Sequence, residues 1–181
     1  AEIQEQTAKI AALKSDAKIA AAHPQDKENF CGMVIKGMTY DEKKTAGERL
    51  ILACMELPNT EEQLVGSYRG FELSLRFDTF RNEHQAVLKG KLKYPVSLGS
   101  DPHGNIVRLD NALNGFADRI TAAENELDTL QQQQAAAQVE VEKPFPQEEE
   151  LAQKSTRLAE LNAQLDVDEK HHEPEQDEEE Q

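Results

Sequence analysis

Apolar residues between 2 and 22 recur at seven-, three- and four-residue steps: Ile3, Ile10, Leu13, Ala17 and Ala20. Such steps put them on one stripe of a helix, and the run is rich in alanine, the best helix former. Pro24 ends it in a polar stretch, His23 to Asn29. Residues 30–36 (FCGMVIK) read as a short strand, with Gly37 permitting a turn. Thr39 and Glu42 have the spacing of a capping box, so a helix is expected from there to about Glu56. Its stripe is Ala46, Leu50, Ile51, Ala53, Cys54 and Leu57. Gly47 inside it disfavours the helix by roughly 1 kcal/mol relative to alanine, which points to close packing against a neighbour.

From 64 to 98 the period changes to two. Phe71, Leu73, Leu75 and Phe77 alternate with Glu72, Ser74, Arg76 and Asp78. After a TFRNEH loop, Ala86, Leu88, Gly90, Leu92 and Tyr94 alternate with Val87, Lys89, Lys91 and Lys93. Two such runs predict an antiparallel hairpin with one wet face. Strands are expected near 30–36, 64–70, 71–78 and 85–94, with Pro95 ending regular pairing or marking an edge.

The longest pattern comes next. Ile106, Leu109, Leu113, Phe116, Ile120, Ala123, Leu127 and Leu130 are spaced alternately three and four apart, and Ala137 and Val141 keep the register. Heptad spacing is the mark of a coiled-coil seam. One helix from about Asn105 to Glu142 would span roughly 55 Å, weakened locally at Gly115. Pro144 and Pro146 break the chain, and a second helix follows with Leu151, Leu158, Leu161 and Leu165 at steps of seven, three and four. The short connection predicts antiparallel neighbours. The expected fold is therefore α+β: a small antiparallel sheet packed on one helix, a long antiparallel coiled-coil hairpin, and an N-terminal helix alongside. The expected divisions are 1–23 (helix), 24–104 (α+β domain), 105–168 (hairpin) and 169–181 (acidic disordered tail). The hairpin seam has two readings, as an internal clasp or as a seam for another chain; the leucines of the second helix favour the first.

Charge is distributed unevenly. The 181 residues carry a formal net charge of −15, of which −11 falls in residues 140–181. A negative field disfavours phosphate over most of the surface. A local exception is the hairpin, where Arg69, Arg76, Arg81, Lys89, Lys91 and Lys93 gather. Lysines on alternate strand positions lie about 6.6 Å apart, comparable with the phosphate repeat of one strand. Tyr68 and Tyr94 could add stacking, while a solvated face using lysine against edge aggregation explains the same residues. Cys31 and Cys54 match neither a metal spacing nor a disulfide framework and fit a reducing cytoplasm. No apolar run approaches the ~20 residues of a membrane span. An N-terminal alanine suggests a processed chain or a piece of a longer one.

Catalytic signatures are missing from the sequence: no Walker-type phosphate loop, GxSxG or HExxH. Asp101, His103 and Asn105 fit a turn opening a helix better than an acid/base pair. His171–His172 beside acids reads as solvated tail rather than a cation site. The expectation is no catalytic residue and no metal.

Four stretches carry a resemblance: IKGMTYDEKKTAGERLILAC (35–54), GSYRGFELSL (66–75), YPVSLGSDPHGNIVRLDNALNG (94–115) and KPFPQEEELAQKSTRLAELNAQL (143–165). They resemble the C-terminal region of very large proteins of bacterial mobile conjugative elements, in which a Swi/Snf-like helicase is joined to an adenine-specific DNA methylase. The resemblance implies a bacterial cytoplasmic setting of DNA processing. It transfers no activity, because the motifs for ATP and S-adenosylmethionine, the parent's cofactors, do not occur in this sequence. The expected role is a non-catalytic accessory domain whose hairpin contacts upstream domains of a longer chain or another protein. The alternative is a nucleic-acid-binding module using the basic hairpin face.

Overall fold

The computed structural model describes residues 1–25, 30–143 and 146–170. It divides into two compact units, residues 1–132 and 133–181. The first is α+β, built on a six-stranded antiparallel sheet. The elements in chain order are α1 (Glu2–Ala22), β1 (Met33–Ile35), β2 (Met38–Tyr40), α2 (Lys43–Met55), β3 (Gln63–Tyr68), β4 (Phe71–Asp78), β5 (Glu83–Lys89), β6 (Lys93–Ser97), α3 (Pro102–Asn114), α4 (Phe116–Glu142) and α5 (Pro146–Lys170). The sheet order is β2-β1-β3-β4-β5-β6. Among the described residues no helix is long and apolar enough to cross a membrane.

Two tight turns set the sheet's register. Lys36–Gly37 and Arg69–Gly70 each have positive φ at both residues, the geometry that joins twisted antiparallel strands through a two-residue loop. The first converts residues 38–40 into β2, where the sequence suggested a cap. Thr39 is therefore a strand residue, and α2 starts behind Glu42, whose side chain makes no capping bond. The second separates β3 from β4. The run expected as one strand, 85–94, is two: β5 ends at Lys89, and Lys89 pairs back with Lys93 across a turn at 90–92. Pro95 lies in β6 at the sheet edge, where its missing N–H spoils no pairing.

One face of the sheet makes the core. Phe71, Leu73, Leu75 and Leu88 are fully buried, in one cluster with Leu50 and Cys54 of α2. Each such side chain stabilises the fold by about 1.5–3 kcal/mol. Phe77 is only half-buried, edge-on to His84 at 5.0 Å. Val87, expected outside, is buried on the opposite face between Ser74 and Pro95 of the neighbouring strands. α2 crosses α3 closely: a Cβ on Gly47 would lie 2.2 Å from the Pro102 carbonyl oxygen, so this glycine has the packing reason the sequence suggested.

The heptad stripe has a different fate from the one expected. Ile106, Leu109, Leu113, Phe116 and Ala123 are buried in the globular core, and Ile120 and Leu127 pack against it. α3 and α4 meet at Gly115. α1 lies along this stripe: Gln6 Nε2 donates to the Ala123 carbonyl (3.0 Å) and to Glu126 (2.8 Å), and Lys14 pairs with Glu124 at 2.7 Å. The second unit comprises the end of α4 and α5. There Leu151, Leu158, Leu161 and Leu165 are 67, 62, 50 and 62% exposed. The coiled-coil hairpin is thus not confirmed: the sheet, α2 and α1 already occupy the first stripe, and the leucines of α5 are left open. The acidic tail from 171 on, with His171 and His172, lies outside the described residues.

Candidate functional site

The residues expected to form a basic face are only partly brought together. Arg69 leaves it altogether. It occupies the β3–β4 turn with positive φ and is 7% exposed. Its guanidinium donates to the His23 carbonyl (2.8 Å), Asn114 Oδ1 (3.1 Å) and Asp110 Oδ1 (3.3 Å). Tyr68 donates to the same Asp110 oxygen at 2.6 Å. Burial, then the neighbouring Asp110 carboxylate, pushes the Tyr68 phenol well above its ordinary range. This network ties the end of α1 and the middle of α3 to one turn of the sheet. It is an anchor with its polar groups satisfied, not a surface for phosphate.

The other cations are largely engaged. Arg76 donates twice to Gln85 Oε1 (2.8 and 3.1 Å). Arg81 stands 3.9 Å from Glu83, Lys89 3.5 Å from Glu72, and Lys93 2.9 Å from Glu62. Lys91 sits on the β5–β6 turn, and no carboxylate among the described residues pairs with it. Lys89 and Lys93 face each other across two strands, so the expected single file of lysines along one strand is replaced by an opposed pair and a turn residue.

A second buried anchor was not visible in the sequence. Asp16 of α1 is fully buried. It accepts the backbone N–H groups of Lys91 (2.7 Å) and Leu92 (3.0 Å) and the hydroxyl of Tyr94 (2.6 Å). A Cβ on Gly90 would lie 2.4 Å from its carboxylate, so glycine admits the aspartate to the turn. The ring of Tyr94 is edge-on to Phe71 and Phe116 at 6.2 and 5.1 Å, not free to stack on a base. Burial, then the bond to Asp16, raises its phenol above the ordinary range. Gln6 and Asp16 share a helical face with Ile10, Leu13 and Ala20. Polar residues on an apolar stripe were the available signal that this helix docks onto polar partners.

Near the start of α3, Asp101 accepts the Gly104 N–H (2.9 Å), and Asn105 holds Gly99 through both its N–H (2.8 Å) and its carbonyl (2.9 Å). These are capping and turn bonds. Of the two thiols, Cys54 is buried and pushed up to about 11 by that burial. Cys31 is exposed, and partial burial still raises its thiol above the usual value; neither is primed as a thiolate nucleophile. Among the described residues no three His, Cys, Asp or Glu side chains form a group that could hold a metal ion.

An open apolar stripe lies on α5. Its four leucines repeat at heptad steps, and each of its described side chains is exposed. Comparison with protein-family models, curated proteins and solved structures finds no significant match.

Proposed function

We propose that this chain is a non-catalytic accessory module of a bacterial, cytoplasmic DNA-processing protein of the helicase–methylase kind, with α5 as its contact arm. One observation carries the reading: Leu151, Leu158, Leu161 and Leu165 form a heptad stripe that is half to two-thirds exposed. A helix with such a stripe buries it against another helix when one is offered. The partner is an upstream segment of a longer chain or a separate protein. ATP and S-adenosylmethionine would belong to that partner. The resemblance of residues 35–54, 66–75, 94–115 and 143–165 supplies the DNA-processing setting.

The test mixes the full chain with a separately produced helicase–methylase polypeptide of the proposed kind and follows co-migration in size-exclusion chromatography. Co-migration is expected, and Leu158→Glu with Leu161→Glu should abolish it without changing the melting of the 1–132 unit. A complex that survives the double substitution, or none at all, refutes the arm. The nucleic-acid alternative rests on Lys91 with the paired cations around it. Salt-dependent DNA binding by the chain, weakened by Lys91→Glu, would favour that reading instead.

A further inference from the structure

A separate pair of features lies in the 1–132 unit, independent of α5. The β4–β5 turn presents Phe80 with 97% of its surface exposed. The turn is held in shape: Asp78 Oδ1 accepts the N–H groups of Phe80 (3.0 Å) and Arg81 (3.1 Å), and Asn82 closes it with a positive φ of 56°. A large aromatic on a fixed turn is a preformed plug, since little side-chain freedom is lost when it docks.

Beside the same turn, bordered by Asn82 at its end, is a cleft of about 460 Å³. Ile51, Cys54, Met55 and Leu98 supply its apolar wall, and Glu83 and His84 border it. Met55 is 72% exposed, and a flexible thioether adapts readily to an aromatic ring. A cavity of this size lies within the range of built binding pockets.

Plug and cleft are complementary in charge as well as polarity. Arg81 follows Phe80 and is 64% exposed on its side chain, only 3.9 Å from Glu83 in a loose pair. Glu83 borders the cleft as a carboxylate whose ionised form is favoured by bonds from Ser97 and Gln85. Acids at the plug and cleft, Asp78 and Glu83, also disfavour a phosphate backbone as the occupant. Both halves of the contact stand on one chain and on one side of it, since Asn82 and Glu83 at the cleft's border directly continue the turn that carries Phe80. That is the condition for a two-fold, isologous contact in which each copy gives and receives the same group.

We propose that this face binds a second copy of the chain, Phe80 of each copy entering the cleft of the other and Arg81 approaching the partner's Glu83. Sedimentation equilibrium of the full chain from micromolar to millimolar concentration reads it directly. A reversible dimer is expected. Phe80→Glu should weaken it by about 30-fold or more, the loss typical of a central aromatic anchor. Met55→Lys, at an exposed position near a helix C-terminus, should weaken it comparably by setting a cation against the incoming Arg81. Melting temperatures of both variants should match the parent. Mixing the two variants should restore a heterodimer, because one intact plug then meets one intact cleft and the new carboxylate meets the new ammonium. A parent chain that stays monomeric, a dimer undiminished by Phe80→Glu, or a mixture that fails to associate each overturns the proposal. A monomeric parent that binds duplex DNA through Phe80 overturns it in favour of a nucleic-acid wedge.

Discussion

Removing the carboxylate of Asp16 should destabilise the 1–132 unit more than any exposed ion pair does. Three donors converge on it, at 2.6, 2.7 and 3.0 Å. Hydrogen bonds to a charged group contribute ~1.5–3 kcal/mol each. Two of the three donors are backbone N–H groups of a partly exposed turn, which water can reach once the side chain is gone, so they count at the low end. The third is the hydroxyl of Tyr94, 7% exposed, which is left with poor access to solvent. Asp16→Ala is therefore expected to lose about 3–5 kcal/mol, against a typical domain stability of ~5–15 kcal/mol. Asp16→Asn keeps one acceptor oxygen but turns an NH2 toward donors, and should lose about 1.5–3 kcal/mol. Tyr94→Phe removes one bond and should lose about 1–2 kcal/mol. Lys14→Ala, breaking the half-exposed pair with Glu124, should lose no more than about 1 kcal/mol. Urea midpoints with unchanged slopes give the ranking, and amide exchange at Lys91 and Leu92 locates the damage. An Asp16→Ala chain within about 1 kcal/mol of the parent, with those amides still protected, would refute the anchor.

Two further changes probe other parts of the fold. Gly47→Ala should lower the melting temperature although alanine favours helices by about 1 kcal/mol. The new methyl meets backbone of Pro102 at 2.2 Å, which cannot rotate away, and overpacking of this kind loses about 1–3 kcal/mol; a raised melting temperature would show that α2 and α3 are not in close contact. Glu56 accepts bonds from Arg49 (3.1 and 3.2 Å) and Lys36, in that order of effect, and its carboxyl is held at about 2. A depressed folded value stabilises above the unfolded value and loses that effect as pH falls. The stability gap between parent and Glu56→Gln should therefore be full above pH about 4.5 and close toward pH about 2; a gap independent of pH in that window contradicts the contact.

The parts of the fold that were legible are those where periodicity is imposed by a surface. Residues 71–78 alternate because Phe71, Leu73 and Leu75 meet the core, and the strand occupies those residues, although Ser74 on the other side is buried beside Val87 rather than wet. Gly47 signalled a close helix crossing because nothing else justifies it in a helix. The turns were harder. Arg69–Gly70 reads as strand when only hydrophobicity is followed, and its left-handed geometry is signalled by the glycine alone. The site residues failed for a related reason. A list of cations does not say which have carboxylates opposite them, and here Glu72, Glu62, Glu83 and Asp110, three of them distant in sequence from their partners, decide that.

The heptad stripe is the more instructive case. Spacing of three and four states that one face of a helix is buried, and it is silent about what covers it. The stripe from Ile106 to Ala123 and the stripe from Leu151 to Leu165 have the same steps, yet the first is core and the second is open. What separates them is their company. The first shares its helices with buried Asn105 and Asp110, polar groups that bond a loop and a sheet turn and so commit the face to this chain's own sheet. The second has charged or small polar residues around its leucines, Lys154, Arg157, Glu160 and Asn162, none of which bonds outside α5 among the described contacts. A helix whose polar neighbours are tied to one fold can serve only that fold. A helix whose polar neighbours are untied keeps its apolar edge open, which is why we propose the contact role for α5 rather than for the longer and more regular pattern before it.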